Sequence, residues 1–298
     1  MNMRAITITE YGDTDVLRSA EVPVPEPGPG QVRVAVKAAG VNPIDWKIRS
    51  GGMAEVRPVE FPHILGLELA GVVDAVGEGA GFAVGDEVFG WSDTGTYAEY
   101  SLATKVIRKP AGLSWAEATA LPIAGETALR VLGELEVKPG ETVVIHGASG
   151  QVGRFATQAA VALGATVIGL AGASSQDEVK ALGAIPVQYG EGWVSRVRSA
   201  APDGVDAVFD AAGFGVLGDS VELLGSPDRL ITIADPSAFA QGLKFSAGGE
   251  ESAAVLEDLV SRELKIKLGR GYALDDAAAA HRESETGHAG GKITLTVG

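Results

Sequence analysis

The sequence predicts an α/β protein in which a doubly wound parallel sheet forms one domain, inserted between two parts of a strand-rich domain. From about Glu141 the chain alternates between strand-like and helix-like segments. Before this region, polar and apolar residues alternate with the period of two that half-buried strands show. A further strand, "KITLTVG", follows a helical segment beyond it. The length of 298 residues also favours two domains over one.

The first third of the chain is predicted to consist of strands and turns. The strands "MRAITITEYG" and "QVRVAVKAAGVN" are separated by "VPVPEPGPG", whose prolines forbid a helix and make a stiff loop. Two further short strands lie in "LAGVVDAVGEGA" and "FAVGDEVFG". A long helical segment is predicted to begin near Ser114, because Ser114 and Glu117 have the spacing of a capping box.

The central region is predicted to be a series of βα units, which form a parallel sheet with right-handed crossovers. We place this domain at residues 118–250, between strand-rich parts at residues 1–117 and 251–298. The series runs through strand "TVVIHG", a helix from about Val152, strand "TVIGLA", helix "SQDEVKALG", strand "IPVQY", helix "WVSRVRSAA", and strands "VDAVFDAAG" and "RLITIA", after which comes helix "ESAAVLEDLVSREL".

The composition excludes several classes of function. The formal net charge is −15 and no basic run interrupts the acidity, so nucleic acid and anionic membrane surfaces are poor partners. The chain has no cysteine, which excludes disulfides, thiolate catalysis, iron–sulfur clusters and cysteine-ligated zinc. The four histidines are scattered, and none belongs to an H-E-x-x-H pattern, so we expect no metal site.

The hydropathy pattern predicts a soluble, cytoplasmic protein. The first residues have no apolar segment of the kind that a secretory signal requires. One stretch, residues 155–173, is apolar enough to suggest a membrane span, but it contains polar residues and three glycines. We expect it to split into a helix followed by a strand.

The strongest functional signal is a glycine loop that follows the first strand of the βα series. Gly150 and Gly153 fit the last two glycines of G-x-G-x-x-G, with Ala148 at the first position. Gly150 would let the backbone approach a pyrophosphate, and Gly153 would let the helix pack closely on the strand. The phosphates would meet free N–H groups at the positive end of the helix dipole. The loop lies between a hydrophobic strand and a helix, so it predicts a dinucleotide site.

The end of the second strand of the series favours NADPH over NADH. Sites that prefer NAD place an acidic residue there to bind the ribose 2′-hydroxyl. After the strand "TVIGLA", the first carboxylate is that of Asp177. Ser174 and Ser175, which precede it, offer hydroxyls that could donate to a 2′-phosphate. Asp177 and Glu178 lie close by and Lys180 is the first base, so we expect a modest affinity.

With these features in place, the sequence resembles the medium-chain dehydrogenase/reductase superfamily, in its zinc-free quinone oxidoreductase branch. The resemblance covers nearly the whole chain and implies a Rossmann domain inserted into a discontinuous, GroES-like catalytic domain. Zinc-dependent relatives carry a Cys near the position of Asn42 and a His after Gly66, where this chain has Leu67. The matching segments, in order, are "GVNPIDWKIRSG", "GLELAGVVDAVGEG", "VGDEVFG", "TYAEY", "LPIAGETALRVL", "VIHGASGQVG", "VFDAAG" and "AAAAHRESETGHAGGKITL".

The resemblance also implies roles for individual residues. Thr127 matches a Thr that approaches the nicotinamide, and Asn42 and Asp45 match an "NxxD" element that lines the substrate pocket. Gly291 and Lys292 match a "GK" pair near the active-site cleft, and we count them with the cofactor residues. The pyrophosphate loop is matched by Ala148, Ser149, Gly150, Gln151, Val152 and Gly153, and the 2′-phosphate site by Ser174, Ser175 and Tyr189.

The residues of the expected substrate pocket each have a structural alternative. Asn42 could polarise a carbonyl oxygen as charge develops, or could be a turn residue ahead of Pro43. Asp45 is more often a helix cap or the partner of a basic neighbour than an acid or base. Many relatives have a Tyr proton donor at the position of Met53, and a thioether cannot donate a proton.

Three further side chains, Trp46, Met53 and Trp91, could form an apolar wall or belong to the core. His146 is expected to be a core histidine, and His63 and Glu68 to be structural.

Together these observations predict an NADPH-dependent, zinc-free reductase of quinones or other electron-poor enones, with the proton coming from water. An enoyl-thioester reductase is the nearest alternative, although Met53 and the lack of a basic cluster argue against it. A sensor that binds NADPH without turnover is the alternative from another class. We expect a small apolar carbonyl or quinone as substrate. We also expect a homodimer formed by edge pairing of the central sheets near "LKFSAGG", as is common among relatives.

Overall fold

A computed structural model describes residues 1–249, 251–287 and 289–298 of the chain. These residues form two compact units. The first unit comprises Met1–Ile123, Glu251–Ser261 and Ile266–Gly298, and the second comprises Ala124–Glu250 with Arg262–Lys265. The first unit is therefore assembled from distant parts of the chain.

The described residues contain sixteen strands and nine α-helices, which we number in chain order. The strands are β1 (Asn2–Ile8), β2 (Arg18–Pro23), β3 (Val32–Val41), β4 (His63–Ile64), β5 (Glu68–Val76), β6 (Glu87–Trp91), β7 (Tyr100–Ala103), β8 (Lys105–Arg108), β9 (Thr142–His146), β10 (Thr166–Ala171), β11 (Ile185–Gln188), β12 (Ala207–Asp210), β13 (Leu230–Thr232), β14 (Lys244–Phe245), β15 (Leu268–Ala273) and β16 (Lys292–Thr296). The helices are α1 (Pro43–Arg49), α2 (Trp115–Ala118), α3 (Pro122–Glu134), α4 (Gln151–Leu163), α5 (Gln176–Ala181), α6 (Trp193–Ala200), α7 (Leu217–Leu224), α8 (Ala253–Ser261) and α9 (Ala277–Glu285).

The first unit is built on a seven-stranded sheet. Its strand order is β15-β16-β3-β5-β6-β8, and β7 pairs with β3. β16 lies antiparallel to β3, with Ile293 opposite Val41, and parallel to β15. The strand-rich ends of the sequence therefore share one sheet, and its inner side chains, such as Val34, Leu69 and Leu295, form a core together with α9.

The second unit contains a six-stranded sheet of order β11-β10-β9-β12-β13-β14. All five pairings are parallel. Because the chain proceeds from β9 to one side and then returns to the other, the strand order reverses beside β9. Ligands of open parallel sheets bind outside the carboxyl ends of the strands at such a point. The predicted doubly wound sheet is therefore confirmed.

Two helices differ from the sequence-based expectation. The long helix predicted from Ser114 is wrong: α2 begins after Ser114 with the predicted capping box but ends at Ala118, and α3 begins at Pro122. Proline disfavours helical conformation in the residue before it, which explains the break. α7, between β12 and β13, was missed because it has two turns and is flanked by Gly215 and Gly225. A parallel pair requires such a crossover.

The apolar stretch at residues 155–173 splits as expected. It comprises most of α4, which ends at Gly164 in the left-handed conformation, and then β10. Among the residues that the structure describes, no helix has the length and the apolar character needed to span a bilayer.

Candidate functional site

The loop between β9 and α4 presents backbone N–H groups at the carboxyl edge of the parallel sheet. The N–H groups of Gly147 and Ala148 donate to Leu170 O, at 3.1 and 3.0 Å, which ties the start of the loop to β10. Gly150 is the N-cap of α4 and has no side chain to cap it. The first N–H groups of the helix therefore remain available to an anionic ligand.

The two glycines of the loop differ in what the fold demands of them. A Cβ on Gly153 would lie 2.2 Å from Gly147 O, so the packing of α4 on the loop excludes any side chain there. A Cβ on Gly150 would lie 3.3 Å from the same oxygen, and the φ of Gly150 is −73°. A small side chain at Gly150 therefore requires a shift of a few tenths of an ångström from Gly147 O and meets no other atom of the described residues within 4 Å.

A buried polar side chain in the same loop lacks partners. Both the Nε2 and the Oε1 atoms of Gln151 are buried and have no hydrogen-bond partner within the described residues. Buried amide groups are normally hydrogen-bonded, so this pair of unpartnered atoms points to a ligand. The open glycine, the uncapped helix and this amide fit the pyrophosphate of a dinucleotide.

The hydroxyl groups predicted to meet the 2′-phosphate lie around the end of β10. Ser174 is exposed and Ser175 half-buried in a short 3-10 turn that follows β10. Tyr189 follows β11, is 47% exposed, and its hydroxyl lies 3.4 Å from where a Cβ on Gly172 would stand. The sheet therefore brings all three hydroxyl-bearing residues to one edge.

Two arginines stabilise this edge. Arg154, which is buried in α4, forms an ion pair with Glu178 of α5 and so balances one of the two acidic charges noted in the sequence. The guanidinium of Arg196 donates to the carbonyl oxygens of Gln188 and Glu191, at 2.8 to 3.0 Å. The segment that carries Tyr189 is thus held from both sides.

Thr127 lies half-buried in α3, where its hydroxyl donates to Glu126 at 3.5 Å. Glu126 also accepts from Arg130, at 2.8 Å. Within the second unit, Thr127 therefore contacts a charged pair of α3.

In the first unit, Asn42 lies in a buried polar cluster. It is the N-cap of α1, and Pro43 follows it at the first helical position. Its Nδ2 donates to Glu68 Oε1 at 2.6 Å, and Lys292 Nζ donates to its Oδ1 at 2.6 Å. Lys292 and Glu68 also form an ion pair, and Glu68 Oε2 accepts from the backbone N–H of Ile123 at 2.9 Å. All three side chains of the cluster are at most 5% exposed.

Asp45 holds the backbone of Asn42 rather than a basic neighbour. Its Oδ2 accepts from the N–H of Asn42 at 2.7 Å, so it acts as a helix cap. It is completely buried, and burial raises its pKa from 3.8 to about 7, opposed mainly by the hydrogen bond from Asn42 and by the charge of Lys292. Its Oδ1 has no partner among the described residues.

A directed chain of hydrogen bonds ends at Asp45. Arg49 can only donate, so its 3.4 Å contact with Nδ1 of His281 leaves the proton on Nε2. Nε2 is 3.1 Å from the hydroxyl of Tyr97, which donates in turn to Asp45 Oδ2 at 3.4 Å. Burial, together with the charge of Arg49, lowers the pKa of His281 to about 3, which keeps the imidazole neutral.

The structure brings together only some of the predicted site residues. Asn42, Asp45 and Lys292 meet in the first unit, whereas the loop residues from Ala148 to Gly153 share an edge with the three hydroxyls in the second. The ammonium of Lys292 is engaged by Glu68 and Asn42. Gly291 has a structural reason, because a Cβ there would lie 2.6 Å from Gly269 N.

The sequence reasoning did not place Tyr97 and His281 in the site, and it interpreted Glu68 as structural. A signal was available for Glu68, because Glu68 and Lys292 are opposite charges beside apolar strand residues, a pattern that predicts a buried pair. Tyr97 and His281 lie far apart in the sequence, in the matching segments "TYAEY" and "AAAAHRESETGHAGGKITL", and neither segment indicates that the two side chains meet.

The other candidates of the sequence analysis have structural positions. Trp91 is 2% exposed in the core of the first unit, and Met53 packs against that core, half-buried. Trp46 is half-buried, and its indole N–H has no partner in the described part of the chain. His146 is a core histidine, as expected: it contacts Ser220 at 3.2 Å, and burial lowers its pKa to about 4.

Among residues 1–249, 251–287 and 289–298, no group of three or more potential metal ligands comes together.

Comparison with protein families defines the class. A profile for the alcohol dehydrogenase GroES-like domain matches residues 28–123, and a profile described as zinc-binding dehydrogenase matches residues 182–295. A GroES-like domain together with a Rossmann-type parallel sheet is the architecture that the sequence resemblance implied, and the expectation is confirmed.

Individual relatives extend this result over the whole chain. A quinone oxidoreductase from Lama guanicoe is 33% identical in an alignment of length 328 that covers 98% of this chain and 97% of the relative. The structure of the quinone oxidoreductase from Coxiella burnetii matches with a TM-score of 0.87 and 31% identity, and covers 100% of both chains. A mycobacterial protein solved in complex with NADPH matches with a TM-score of 0.86 and 32% identity over 99% of both chains. The chain therefore belongs to the quinone oxidoreductase family of the medium-chain dehydrogenase/reductase superfamily.

Proposed function

We propose that this chain is an NADPH-dependent reductase of quinones or other electron-poor enones, and that it works without a bound metal. The observation that carries the proposal is the β9–α4 loop, where Gly150 leaves space that the fold does not require and Gln151 has a buried, orphaned amide. Family membership supports the reaction type, and the relative solved with NADPH supports the cofactor.

Within this proposal the loop residues would hold the dinucleotide, whose reduced nicotinamide would supply a hydride. The uncapped N–H groups of α4 would bind the pyrophosphate, and Gln151 would complete its hydrogen bonds. In the first unit, Asn42 donates an N–H to the carbonyl oxygen of the substrate as negative charge develops there. Met53 cannot supply a proton, so the product is protonated by water.

The preference for NADPH is supported by the residues around the end of β10. Between Ala171 and Gln176 the chain has hydroxyl groups and no carboxylate. A carboxylate at this place would repel a 2′-phosphate, whereas Ser174, Ser175 and Tyr189 can donate to it.

The metal-free mechanism is supported by the donor set. The chain has no cysteine, and Asn42 occupies the position of a zinc-ligating Cys in the resemblance. We expect that EDTA leaves both the fold and the activity unchanged. Loss of activity with EDTA, followed by recovery with Zn²⁺, would contradict this expectation.

The test of the proposed function is the oxidation of NADPH, followed by its absorbance, with quinones, enones and enoyl thioesters as separate substrates. Turnover with quinones or enones and little with thioesters is the expected result. Turnover with thioesters alone would make the chain an enoyl-thioester reductase. Tight binding of NADPH without turnover on any substrate would indicate a sensor.

A further inference from the structure

Asn42 is hydrogen-bonded to two side chains of opposite charge, Lys292 and Glu68, which together determine the orientation of its amide. An ammonium group can only donate, so Lys292 must face the amide oxygen. The carboxylate of Glu68 accepts, so it must face the amide nitrogen. The contacts of 2.6 Å to Oδ1 and 2.6 Å from Nδ2 satisfy both conditions.

This arrangement leaves the second N–H of the Asn42 amide available as a hydrogen-bond donor. The Nδ2 group of Asn42 has two N–H bonds, and the described residues provide an acceptor, Glu68, for one of them. A cation on the amide oxygen withdraws electron density from the nitrogen, which makes the second N–H a better donor. Because Lys292 and Glu68 neutralise each other, this pair adds no net negative charge that would oppose an oxyanion nearby.

The burial of the ion pair between Lys292 and Glu68 is not explained by a gain in folding stability. Glu68 is fully buried, and Lys292 is 3% exposed. A buried ion pair often stabilises a protein no more than apolar residues of the same volume would. Removing one partner of the pair destabilises the protein. The strands also contain a glycine for it: a Cβ on Gly40 of β3 would lie 2.2 Å from Glu68 Oε1. Gly40 therefore opens the space through which the carboxylate reaches Asn42.

We propose that Lys292 and Glu68 are positioning residues that orient and polarise the amide of Asn42, so that its second N–H donates to the substrate oxygen. The inference rests on the proposed function and deepens it. It also assigns Lys292 to the substrate side, in place of the cofactor role that the resemblance implied.

The kinetic test uses NADPH and 1,4-naphthoquinone with Asn42→Ala, Lys292→Met and the double variant. Loss of an oxyanion donor lowers kcat by roughly 10²-fold or more, which we expect of Asn42→Ala. We expect Lys292→Met to lower kcat about tenfold, within the range of coupled neighbours, and to have no further effect once Asn42 is Ala. Effects of the two substitutions that multiply would overturn the proposal.

Several variants separate positioning from folding. Lys292→Met leaves the buried carboxylate of Glu68 without its ion-pair partner, which could destabilise the fold. The double variant Glu68→Gln/Lys292→Met carries neither charge, and the proposal requires that its kcat is lowered as well. Lys292→Arg retains the positive charge and should recover part of kcat. Gly40→Ala should displace the carboxylate of Glu68 and lower kcat. The matched control is Lys105→Met, which removes an exposed ion pair with Glu251 and should leave kcat unchanged.

The affinity for NADPH distinguishes the two roles of Lys292. Titration by fluorescence should give the same Kd for the wild type and for Lys292→Met. A weakened Kd with an unchanged kcat would show that Lys292 contacts the cofactor, and the proposal would be wrong.

A spectroscopic readout is independent of turnover. In ¹H–¹⁵N spectra, the resonances of the Asn42 side-chain amide are identified by their loss in Asn42→Asp. We expect one of its two protons to be shifted far downfield by Glu68, and both to move in Lys292→Met. Amide proton shifts of Asn42 in the usual range, unchanged in Lys292→Met, would overturn the inference. Absence of turnover in the wild type would refute the proposed function, and the amide shifts would still decide the geometry.

Discussion

At Asp45, burial without a full set of partners makes stability depend on pH. The groups that face it are Lys292, Glu68 and the chain formed by Tyr97, His281 and Arg49. The folded-state pKa is raised, so its contribution to stability is complete below pH 3.8 and is lost as the pH rises to about 7. At about 1.4 kcal/mol per pKa unit, the loss is on the order of 4 kcal/mol.

Asp45→Asn keeps an acceptor for the N–H of Asn42 and removes this titration. We expect the wild type to lose stability relative to the variant as the pH rises from 3.8 to about 7, as measured by urea unfolding. A difference between the two proteins that stays constant over this range would show that Asp45 ionises normally. His281, whose pKa is lowered, has the opposite sign: its contribution is lost as the pH falls from 6.5 to about 3.

The two glycines of the β9–α4 loop should respond differently to substitution. Gly150→Val places a side chain in the space above the loop, so we expect NADPH binding to be lost while the fold is retained. Gly153→Ala meets Gly147 O at 2.2 Å, so we expect a lower melting temperature even without ligand. Fluorescence titration and thermal unfolding measure the two effects. Unchanged NADPH binding in Gly150→Val would remove this residue from the phosphate site.

On the scale of one element, we propose that the end of β10 determines the preference for NADPH over NADH. We expect NADPH to bind at least several-fold more tightly than NADH, because the hydroxyl groups there can donate to the 2′-phosphate. The variant Ser174→Ala/Ser175→Ala should narrow this ratio by weakening NADPH alone, and Ser195→Ala, on α6, is a matched control. Equal affinities of the wild type for both cofactors would overturn the assignment of these serines.

The elements show why part of the fold could be predicted. β9, α4 and β10 were predicted because apolar strands and a glycine loop are local patterns with a direct physical cause. α7 escaped because its two turns provide little periodicity between flanking glycines. The buried cluster was only partly predicted. Asn42 and Asp45 share a motif and Lys292 was assigned to the cofactor, but strand pairing, which no local pattern specifies, brings Glu68 and Lys292 to Asn42.

On the scale of the whole molecule, we propose a homodimer formed through the outer edge of the six-stranded sheet. Among the residues that the structure describes, β14 is the last strand of this sheet and pairs with β13. Beside it Phe239, 70% exposed, stacks on Phe245 with ring centroids 5.1 Å apart. An unpaired strand edge next to exposed aromatic rings is suited to a symmetric partner.

Light scattering at several protein concentrations tests the dimer. We expect twice the chain mass of 30.4 kDa throughout, and the chain mass alone would refute the dimer. Phe245→Pro removes a ladder donor, so it should give monomers. A dimer that survives this change would place the interface elsewhere.

The insertion of β16 between β3 and β15 has a consequence for how the protein folds. Lys292 and Asn42 are 250 positions apart, whereas the six-stranded sheet uses only segments between Thr142 and Phe245. Closing a longer loop costs more entropy, and folding slows as contact order rises. In refolding followed by pulsed hydrogen exchange, the amides of β9 and β12 should gain protection before those of β16, whose partner β3 lies about 250 positions away. Asn42 is then the last functional group to be oriented, so the ability to bind the dinucleotide should return before the ability to reduce a substrate.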